Sequence, residues 1–203
     1  MIAIVDYGMG NKRSVEKALE HVGAQPRITA DHDEIRAAAA VILPGVGAFP
    51  EAMRRLRASG LDRVVADVAG SGTPLLGICL GMQLLFGSTT EHEGAAGLGL
   101  LEGEVTALAA PKLPHIGWNE VAFERHGALT EGLGDAAAFY HVHSFVCRPA
   151  VEDDVVGRGD YGERFVSIVE RGSVMGAQFH PEKSSRDGLA LLRNFAALAR
   201  VPA

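Results

Sequence analysis

The chain has 203 residues, of which 47% are hydrophobic and 22% charged, and these fractions are typical of a globular domain rather than a disordered chain. A formal net charge of −6 without any long basic run argues against a nucleic-acid partner, because binding phosphates requires basic side chains. No apolar run approaches the roughly 18 residues of a membrane span and no leader segment is recognisable, so we expect one cytoplasmic domain over residues 1–203 with no membrane partner.

The first half of the chain alternates apolar strand patterns with helical patterns. Strands are predicted at residues 1–5, 40–43 and 74–78, and helices at residues 11–22, 49–58, 61–69 and from 81 to 86. The alanines at residues 37–40 are interpreted as the end of a helix. Because strand–helix alternation requires crossover connections, it predicts an α/β fold with a mostly parallel central sheet flanked by helices.

After about residue 98 the pattern becomes richer in strands. Strands are predicted at residues 100–108, 120–123 and 138–147, and a hairpin at 165–170 and 174–179 with its turn at 171–172. These segments predict an antiparallel extension of the sheet. The last helix, residues 185–199, is predicted to have Ser184 as its N-cap. Its predicted buried face consists of Leu189, Leu192, Phe195 and Leu198.

The segment after the third predicted strand carries the clearest chemical motif. Cys79 is bracketed by Gly77 and Gly81 where a buried strand meets a helix, which is the pattern of a nucleophile elbow with sulfur in place of the serine oxygen. The helix start favours a thiolate and offers backbone N–H groups, including that of Leu80, to an oxyanion. Taken alone, the pattern also fits an inert buried cysteine. Cys147 has no flanking glycines and is assigned to packing.

A cysteine nucleophile needs a base, and His180 is the best placed of the eight histidines. It follows an apolar strand, and the ends of strands in α/β sheets are where active sites form. Pro181 ends the strand pairing, so that Glu182 can orient the imidazole and complete a Cys-His-Glu triad with Cys79. A solvated turn also fits the His-Pro-Glu motif by itself, but an elbow in the same chain favours the triad.

Residues 44–47, with the sequence Pro-Gly-Val-Gly, follow another buried strand. The glycines on either side of Val46 permit peptide orientations that other residues resist. A backbone N–H of this segment can therefore join that of Leu80 in an oxyanion site. An ordinary tight turn between a strand and a helix fits the same spacing, so the segment only supports the interpretation.

Motifs for cofactors and metals are incomplete. Gly8 and Gly10 begin a dinucleotide-type loop, but Arg13 stands where the third glycine is required and no P-loop exists, so no cofactor is expected. His141 and His143 lack the acidic or cysteine ligands that would accompany them in a metal site, so no metal is expected and both are interpreted as structural or interface residues. Packing or interface roles are also assigned to His115 and Trp118.

The elbow together with residues 178–182, Gln-Phe-His-Pro-Glu, resembles the class I (triad) glutamine amidotransferase family, whose fold is flavodoxin-like. Within that family, several segments are similar to the glutaminase subunits of imidazole glycerol phosphate synthases, namely residues 6–11, 44–47, 115–119, 143–144 and 180–184. The similarity extends from residue 2 to about residue 198.

The resemblance implies a reaction and assigns roles to the motif residues. Cys79 would attack the side-chain amide of glutamine, and His180 would take the thiol proton and deliver it to the departing ammonia. Glu182 would orient His180, and water would release glutamate from the thioester. The oxyanion donors would be Leu80 and a peptide N–H at Val46 and Gly47, which in this family reorients on activation.

The resemblance also implies residues that bind the substrate and a partner protein. Glutamine would be bound by Gly47, Gln83, Glu91, Ser144 and the backbone of Phe145. The partner interface and ammonia passage would include Asn11, Trp118, Tyr140, His143 and Lys183. The partner would be a (β/α)8-barrel cyclase that forms a heterodimer with the glutaminase and uses its ammonia in histidine biosynthesis.

Two positions depart from the family pattern. Phe145 stands where tyrosine is more common, which removes a hydroxyl and keeps the backbone donor. His141 stands where the strand usually carries phenylalanine, which implies an altered strand environment. Neither change touches the triad.

The chemistry of ammonia gives a reason for a partner. Ammonia is nucleophilic only as the uncharged base, so a dry passage to the acceptor conserves the reactive form. We therefore expect Cys79 to be poorly active until the acceptor subunit and its ligand shift the conformation of residues 44–47.

Three other functions remain open at the level of the sequence. A glutaminase that serves another synthase, such as that of pyridoxal phosphate, would carry a different glycine-rich segment in place of residues 44–47. It would also lack the Gly-Trp-Asn sequence found here at residues 117–119. A catalytically silent module that only binds and regulates a partner would not need an intact Cys79, His180 and Glu182. A hydrolase of peptides or esters would show no preference for glutamine.

Overall fold

The computed structural model describes residues 1–199, which form six helices, thirteen strands and three short 3-10 turns. The helices are α1 (Lys12–His21), α2 (His32–Arg36), α3 (Phe49–Ser59), α4 (Leu61–Gly70), α5 (Leu80–Leu84) and α6 (Ser185–Leu198). The strands are β1 (Ile2–Val5), β2 (Pro26–Thr29), β3 (Ala40–Gly45), β4 (Leu75–Cys79), β5 (Phe86–Thr89), β6 (Ala95–Ala96), β7 (Leu101–Ala107), β8 (His115–Phe123), β9 (Ala136–His143), β10 (Phe145–Pro149), β11 (Val155–Asp160), β12 (Arg164–Arg171) and β13 (Val174–Ala177).

One twisted sheet runs through the molecule in the order β2-β1-β3-β4-β13-β12-β10-β7-β5-β6. Its first five strands are parallel, and from β12 onward most pairings are antiparallel. A branch leaves the sheet at β12, where β11 pairs with both β12 and β8, and β8 pairs with β9. The predicted α/β class, with its mostly parallel centre and antiparallel extension, is confirmed.

The inner parallel strands β1, β3, β4 and β13 are buried because helices cover both faces of the sheet. Every residue of β3 is buried, and its side chains alternate between two apolar cores. Val41 and Leu43 face one core, whereas Ala40 and Ile42 face the other. Strands buried on both faces are nearly continuous apolar runs, which is why this segment could be recognised in the sequence.

Several element boundaries differ from those predicted. Helix α5 ends at Leu84, and the following residues, predicted as helix, enter strand β5. The single strand predicted at 138–147 is divided at Ser144 into β9 and β10. The hairpin pairs Arg171 with Val174, so its two-residue turn is 172–173 rather than 171–172. Gly172 has a positive φ of 56° there, which a tight hairpin turn requires.

The start of α6 also corrects the prediction. Ser184 occupies the N-cap position, but its side chain makes no capping hydrogen bond. Its hydroxyl instead donates to the His180 carbonyl at 2.6 Å and accepts the Tyr140 N–H at 2.9 Å. The buried face of α6 is shifted as well, since Leu189 and Leu198 are only partly buried. The buried residues are Gly188, Leu191, Leu192, Phe195 and Ala196.

The helices of the described residues are short. Among residues 1–199, none combines the length and apolar character that crossing a membrane would require.

Candidate active site

Cys79 is at a sharp turn between β4 and α5. Its backbone has φ 55° and ψ −112°, a conformation that an L-residue adopts only at a cost of about 1–3 kcal/mol. Glycines make the turn possible, because a Cβ on Gly81 would lie 1.8 Å from the Leu43 carbonyl oxygen and one on Gly77 would lie 2.6 Å from the Gly81 oxygen. The elbow therefore packs backbone against backbone, as the Gly-x-Cys-x-Gly spacing predicted.

The end of β3 lies directly beside the elbow. Gly45 pairs with Cys79 in the parallel ladder, and a Cβ on Gly45 would come within 2.8 Å of the Gly81 nitrogen. The buried Tyr7 hydroxyl donates a 2.8 Å hydrogen bond to the Pro44 carbonyl. The Pro-Gly-Val-Gly segment is thus anchored at Pro44, and Gly47 beyond it has a positive φ of 98°.

His180 reaches the elbow because β13 pairs with β4. Ala177 is in register with Ile78, so the residues after β13 lie beside the residues after β4. Two hydrogen bonds hold the His180 backbone. Its N–H donates to the Tyr140 carbonyl at 3.0 Å, and its carbonyl accepts the Ser184 hydroxyl at 2.6 Å. Its imidazole Nδ1 donates to Glu182 Oε1 at 2.8 Å, and both side chains are almost completely buried.

The surroundings of His180 favour its protonated form. Burial alone lowers the pKa of an imidazole, but contacts with the Cys79 thiol and the Glu182 carboxylate outweigh it and raise the pKa of His180 to about 9. A cysteine beside such an imidazole can transfer its proton to it and become the stronger nucleophile. The arrangement is therefore suited to attack by sulfur on an electrophilic carbon.

A cavity of about 320 Å³ opens in front of Cys79 and His180. All of the residues predicted for the oxyanion site and for substrate binding line it, together with two residues predicted for the interface. The lining consists of Val46, Gly47, Cys79, Leu80, Gln83, Glu91, Val142, His143, Ser144, Phe145, His180 and Lys183. Glu182 lies behind His180 rather than in the cavity wall. A cavity of this size fits a small polar ligand.

Gln83 and Glu91 each use part of their hydrogen-bonding capacity to hold their place. Gln83 Nε2 donates to the Phe145 carbonyl at 3.1 Å and to Gln178 Oε1 at 3.0 Å, which leaves its own oxygen for a ligand. Glu91 Oε2 accepts the N–H of Phe49 at 2.8 Å, at the first residue of α3. Both side chains therefore present an oxygen acceptor that suits a ligand ammonium group.

Three of the residues predicted for the interface lie away from the cavity. Trp118 is 55% exposed on β8. Its ring lies edge-on to the ring of Tyr140 on β9, with 6.2 Å between the ring centroids. Asn11 precedes α1 and makes no side-chain capping bond to it. Ile116, two residues before Trp118 on β8, is 59% exposed. The two side chains give this face of β8 a large apolar surface.

Three buried histidines form a cluster beside the cavity, and one of them, His143, lines it. His115 Nδ1 and His143 Nε2 are 3.0 Å apart, and the His141 ring stacks on that of His115 at 5.1 Å. His141 Nε2 lies 2.9 Å from Ser167 Oγ. Burial lowers the pKa of His141 to about 2 and that of His143 to about 4, so both are neutral near pH 7.

Three residues that contact the site were not predicted from the sequence. Val142 lines the cavity, Tyr7 binds Pro44, and the amide of Gln178 lies 3.9 Å from the Cys79 sulfur. For Gln178 a signal existed, because it lies two residues before His180 and alternate residues of an extended segment face the same side. Tyr7 lies within the family-like segment of residues 6–11 but was given no role, and nothing in the sequence pattern pointed to Val142.

The chain is similar to known proteins over almost its whole length. A family model described as glutamine amidotransferase class-I matches residues 3–198. The chain is 52% identical over 200 residues to the imidazole glycerol phosphate synthase subunit HisH of Moorella thermoacetica, covering 98% of this chain and 95% of that protein. It is 51% identical over 196 residues to the protein of the same name from Bacillus cereus, covering 96% and 93%.

A solved structure has the same fold. The crystal structure of a glutamine amidotransferase superposes on the chain with a TM-score of 0.79 and covers 99% of this chain and 100% of that one. At 24% identity, the match concerns the fold alone.

Proposed function

The chain belongs to the class-I glutamine amidotransferase family, and from this premise we propose that it is the glutaminase subunit of an imidazole glycerol phosphate synthase. The observation that carries the proposal is the cavity in which Cys79, on a strained turn, faces His180 backed by Glu182. Identity of about one half to proteins of that name, over nearly the full length, supports this choice among amidotransferase functions.

In the first half-reaction, His180 takes the thiol proton and the Cys79 sulfur attacks the side-chain amide carbon of glutamine. The carbon–nitrogen bond then breaks as the proton passes from His180 to the departing nitrogen, which leaves a thioester and ammonia. Because Nδ1 of His180 donates to Glu182, Nε2 is the atom available for this transfer. The raised pKa of His180 keeps it protonated until the leaving group needs the proton.

The negative charge that develops on the amide oxygen needs N–H donors. Leu80 is the first residue of α5, where helix geometry leaves the backbone N–H without an intrahelical partner. A peptide N–H at Val46 and Gly47 would supply the second donor from the opposite wall of the cavity. In the second half-reaction, water attacks the thioester with His180 as the base, and glutamate and the free thiol are released.

Glutamine would be held by its amino-acid end in the part of the cavity lined by Gln83, Glu91, Ser144 and Phe145. The oxygen of Gln83 and the carboxylate of Glu91 would accept hydrogen bonds from the ammonium group, and Ser144 with the backbone of Phe145 would bind the carboxylate. Lys183 lies at the exposed edge of the cavity. These groups suit a free amino acid better than a peptide, because they offer hydrogen-bond partners to both of its charged ends.

The partner would be a (β/α)8-barrel cyclase that binds the face of β8 and receives the ammonia. Support comes from the exposed apolar side chains of Ile116 and Trp118. Strand β9 connects that face to the base, because Tyr140 contacts Trp118 with its ring and the His180 N–H with its carbonyl. We further place the complex in the cytoplasm, where the two free cysteines would stay reduced.

The proposal is tested with the cyclase of the same organism, produced together with this chain. The two proteins should co-elute on gel filtration, and the complex should form imidazole glycerol phosphate from either glutamine or added ammonium. Cys79→Ala should abolish the glutamine-dependent reaction and leave the ammonium-dependent reaction intact. Cys147→Ala is the matched control and should retain both reactions, because Cys147 is buried in packing on β10.

Labelling with a glutamine-analogue alkylator supplies an independent readout. Modification should occur at Cys79 and disappear in Cys79→Ala. The isolated chain should hydrolyse glutamine much more slowly than the complex does. Failure to associate with the cyclase, or glutamine-dependent synthesis by the Cys79→Ala complex, would contradict the proposal.

A further inference from the structure

We propose that Gln178 is a hydrogen-bond donor to the nucleophile, and that its side-chain amide holds the Cys79 sulfur in position and stabilises it as a thiolate. This inference rests on the proposed glutaminase function and adds a residue to the nucleophilic half of the site. It concerns a side chain that lies outside the Cys-His-Glu triad.

Gln178 is fully buried immediately after β13, two residues before His180. Its backbone N–H donates to the Ser167 carbonyl at 2.8 Å, so its main chain is anchored to β12. Its side-chain nitrogen, Nε2, lies 3.9 Å from Cys79 Sγ, within the longer range that hydrogen bonds to sulfur span. The amide is thus held against the reacting atom by the same chain segment that carries the base.

The hydrogen-bond network determines which end of the amide faces the sulfur. The Phe145 carbonyl can only accept, so Gln83 must present its nitrogen to it at 3.1 Å. The same nitrogen donates to Gln178 at 3.0 Å, so Gln178 must present its oxygen to Gln83. Its N–H₂ group is therefore the end that faces Cys79.

A second polar group near the sulfur has the opposite preference. The Val142 carbonyl oxygen lies 3.8 Å from Cys79 Sγ, where it can accept a hydrogen bond from the neutral thiol. A carbonyl oxygen does not stabilise a thiolate, whereas an N–H donor does. The donor from Gln178 therefore offsets the preference for the thiol that Val142 imposes.

Of the ionisable groups His180, Tyr7 and Cys147 near the sulfur, only His180 supplies positive charge, so a neutral donor can stabilise the thiolate further. His180 carries the compensating positive charge, with Glu182 behind it. Burial raises the pKa of Tyr7 and that of Cys147, with a further contribution from Cys79 in each case, so both groups are uncharged near pH 7. Neither group therefore places a negative charge beside the thiolate, and the Gln178 amide adds a neutral donor to the charge of His180.

The network also connects the nucleophile to the substrate. Gln83 would meet the glutamine ammonium group with its oxygen, and the nitrogen of the same amide orients Gln178. Hydrogen bonds in such chains polarise one another. Binding of substrate would therefore strengthen the donor that faces Cys79.

Two substitutions of Gln178 separate the donor from the space that the side chain fills. Gln178→Met keeps the length of the side chain without any donor, and Gln178→Glu keeps an oxygen for Gln83 while removing the N–H₂ group. Thr130→Val is the matched control, because Thr130 is fully buried and its hydroxyl bonds Gly127 away from the cavity. Cys79→Ala gives the background reaction of Cys147.

The measurement is the rate at which iodoacetamide alkylates Cys79 across the pH range in the full chain. The pH of half-maximal rate should rise by about one unit in Gln178→Met, which corresponds to a tenfold change in the ionisation constant. Gln178→Glu should raise it further, because a carboxylate repels the thiolate, and Thr130→Val should leave it unchanged. In the complex, kcat for glutamine should fall about tenfold in Gln178→Met, with KM within about twofold of the wild-type value.

An unchanged midpoint in the folded Gln178 variants would overturn the inference. If Gln178→Met loses its circular dichroism spectrum, Gln178→Leu, which also lacks a donor and adds no charge, takes its place. The proposed function is judged separately, by glutamine hydrolysis in the wild-type complex. A wild-type complex that hydrolyses glutamine alongside variants with unshifted midpoints would remove the inference alone, whereas shifted midpoints in an inactive complex would remove only the function.

Discussion

Nδ1 of His180 donates a hydrogen bond to Oε1 of Glu182 at 2.8 Å, whereas Oε2 of the same carboxylate is buried and has no hydrogen-bond partner within residues 1–199. A buried carboxylate oxygen without a partner costs folding free energy. The carboxylate nevertheless raises the pKa of His180, which the reaction requires. We interpret this pair as a position where catalysis is favoured over stability.

Replacing the carboxylate with an amide tests that interpretation. Glu182→Gln keeps the size of the side chain and an acceptor for His180 but removes the charge, so kcat for glutamine should fall about a hundredfold. The free energy of unfolding should stay within about 1 kcal/mol of wild type or rise, because a neutral amide is less costly to bury than a carboxylate. Steady-state kinetics and urea unfolding measure the two effects, and a stable variant with full activity would contradict the interpretation.

The histidine cluster predicts a loss of stability in acid. In the unfolded chain, histidines take up protons near pH 6.5, but burial lowers the pKa of His141 to about 2 and that of His143 to about 4 in the folded protein. The unfolded state therefore binds more protons between about pH 6.5 and pH 4, so each histidine lowers the unfolding free energy by about 1.4 kcal/mol per pH unit as the pH falls. The stabilisation is complete above pH 6.5 and is lost below it.

Replacing one histidine of the cluster measures how much that residue contributes to the pH dependence of the unfolding free energy. His141→Phe should reduce the pH slope by about 1.4 kcal/mol per unit over this window, as measured by urea unfolding at a series of pH values. Replacing the exposed His126 with glutamine is the control and should leave the slope unchanged. A slope in His141→Phe equal to that of wild type would refute the assignment of a neutral, buried His141.

The hydrogen bond from Tyr7 to Pro44 should matter for both stability and rate. Tyr7→Phe leaves the Pro44 carbonyl without its 2.8 Å donor, so we expect a loss of about 1–2 kcal/mol of unfolding free energy. Because Pro44 anchors the segment proposed to carry an oxyanion donor, kcat for glutamine should fall more than KM changes. Tyr161→Phe is the matched control, since within residues 1–199 the Tyr161 hydroxyl makes no hydrogen bond. Equal effects of the two substitutions would argue against an anchoring role.

The close approach at the elbow predicts opposite results for two glycines. Gly81→Ala would place a Cβ 1.8 Å from the Leu43 carbonyl oxygen, so the backbone must shift and we expect a loss of more than about 3 kcal/mol. Gly70 ends α4 with open space around it, and Gly70→Ala should be neutral or stabilise by up to about 1 kcal/mol. Thermal and urea unfolding of the two variants provide the comparison, and a Gly81→Ala protein of wild-type stability would be inconsistent with the packing described.

The fold could be predicted where burial imposes a simple pattern. The apolar runs of β3 and β4 and the periodic helices between them gave the parallel centre of the sheet. Strand β2 was missed because it lies at the sheet edge, begins with Pro26 and alternates in exposure. Strand β11 was missed because Gly157 and Gly159 resemble turn residues, although in the structure neighbouring strands pack too closely there for a side chain.

The candidate site could be predicted as far as its local motifs reach. The glycines around Cys79 and the proline after His180 indicate backbone geometry, and the register of β13 against β4 then brings the two side chains together. The position of Gln178 against the sulfur depends on Gln83, which is 95 residues away in the chain. Ser184 shows the same limit, because its predicted capping role was wrong: its hydroxyl binds Tyr140 and His180 instead. Local patterns do not contain such long-range pairings.

The place of β13 has a consequence for the order in which the protein becomes active. This strand is the last to be synthesised, yet it inserts between β4 and β12 in the interior of the sheet. A chain still emerging from the ribosome therefore carries the Cys79 thiol for about a hundred residues of translation before His180, its proposed base, is added. With the proposed triad, an incomplete translation product that ends before His180 has no base for Cys79, and we expect glutamine hydrolysis only after β13 has inserted between β4 and β12.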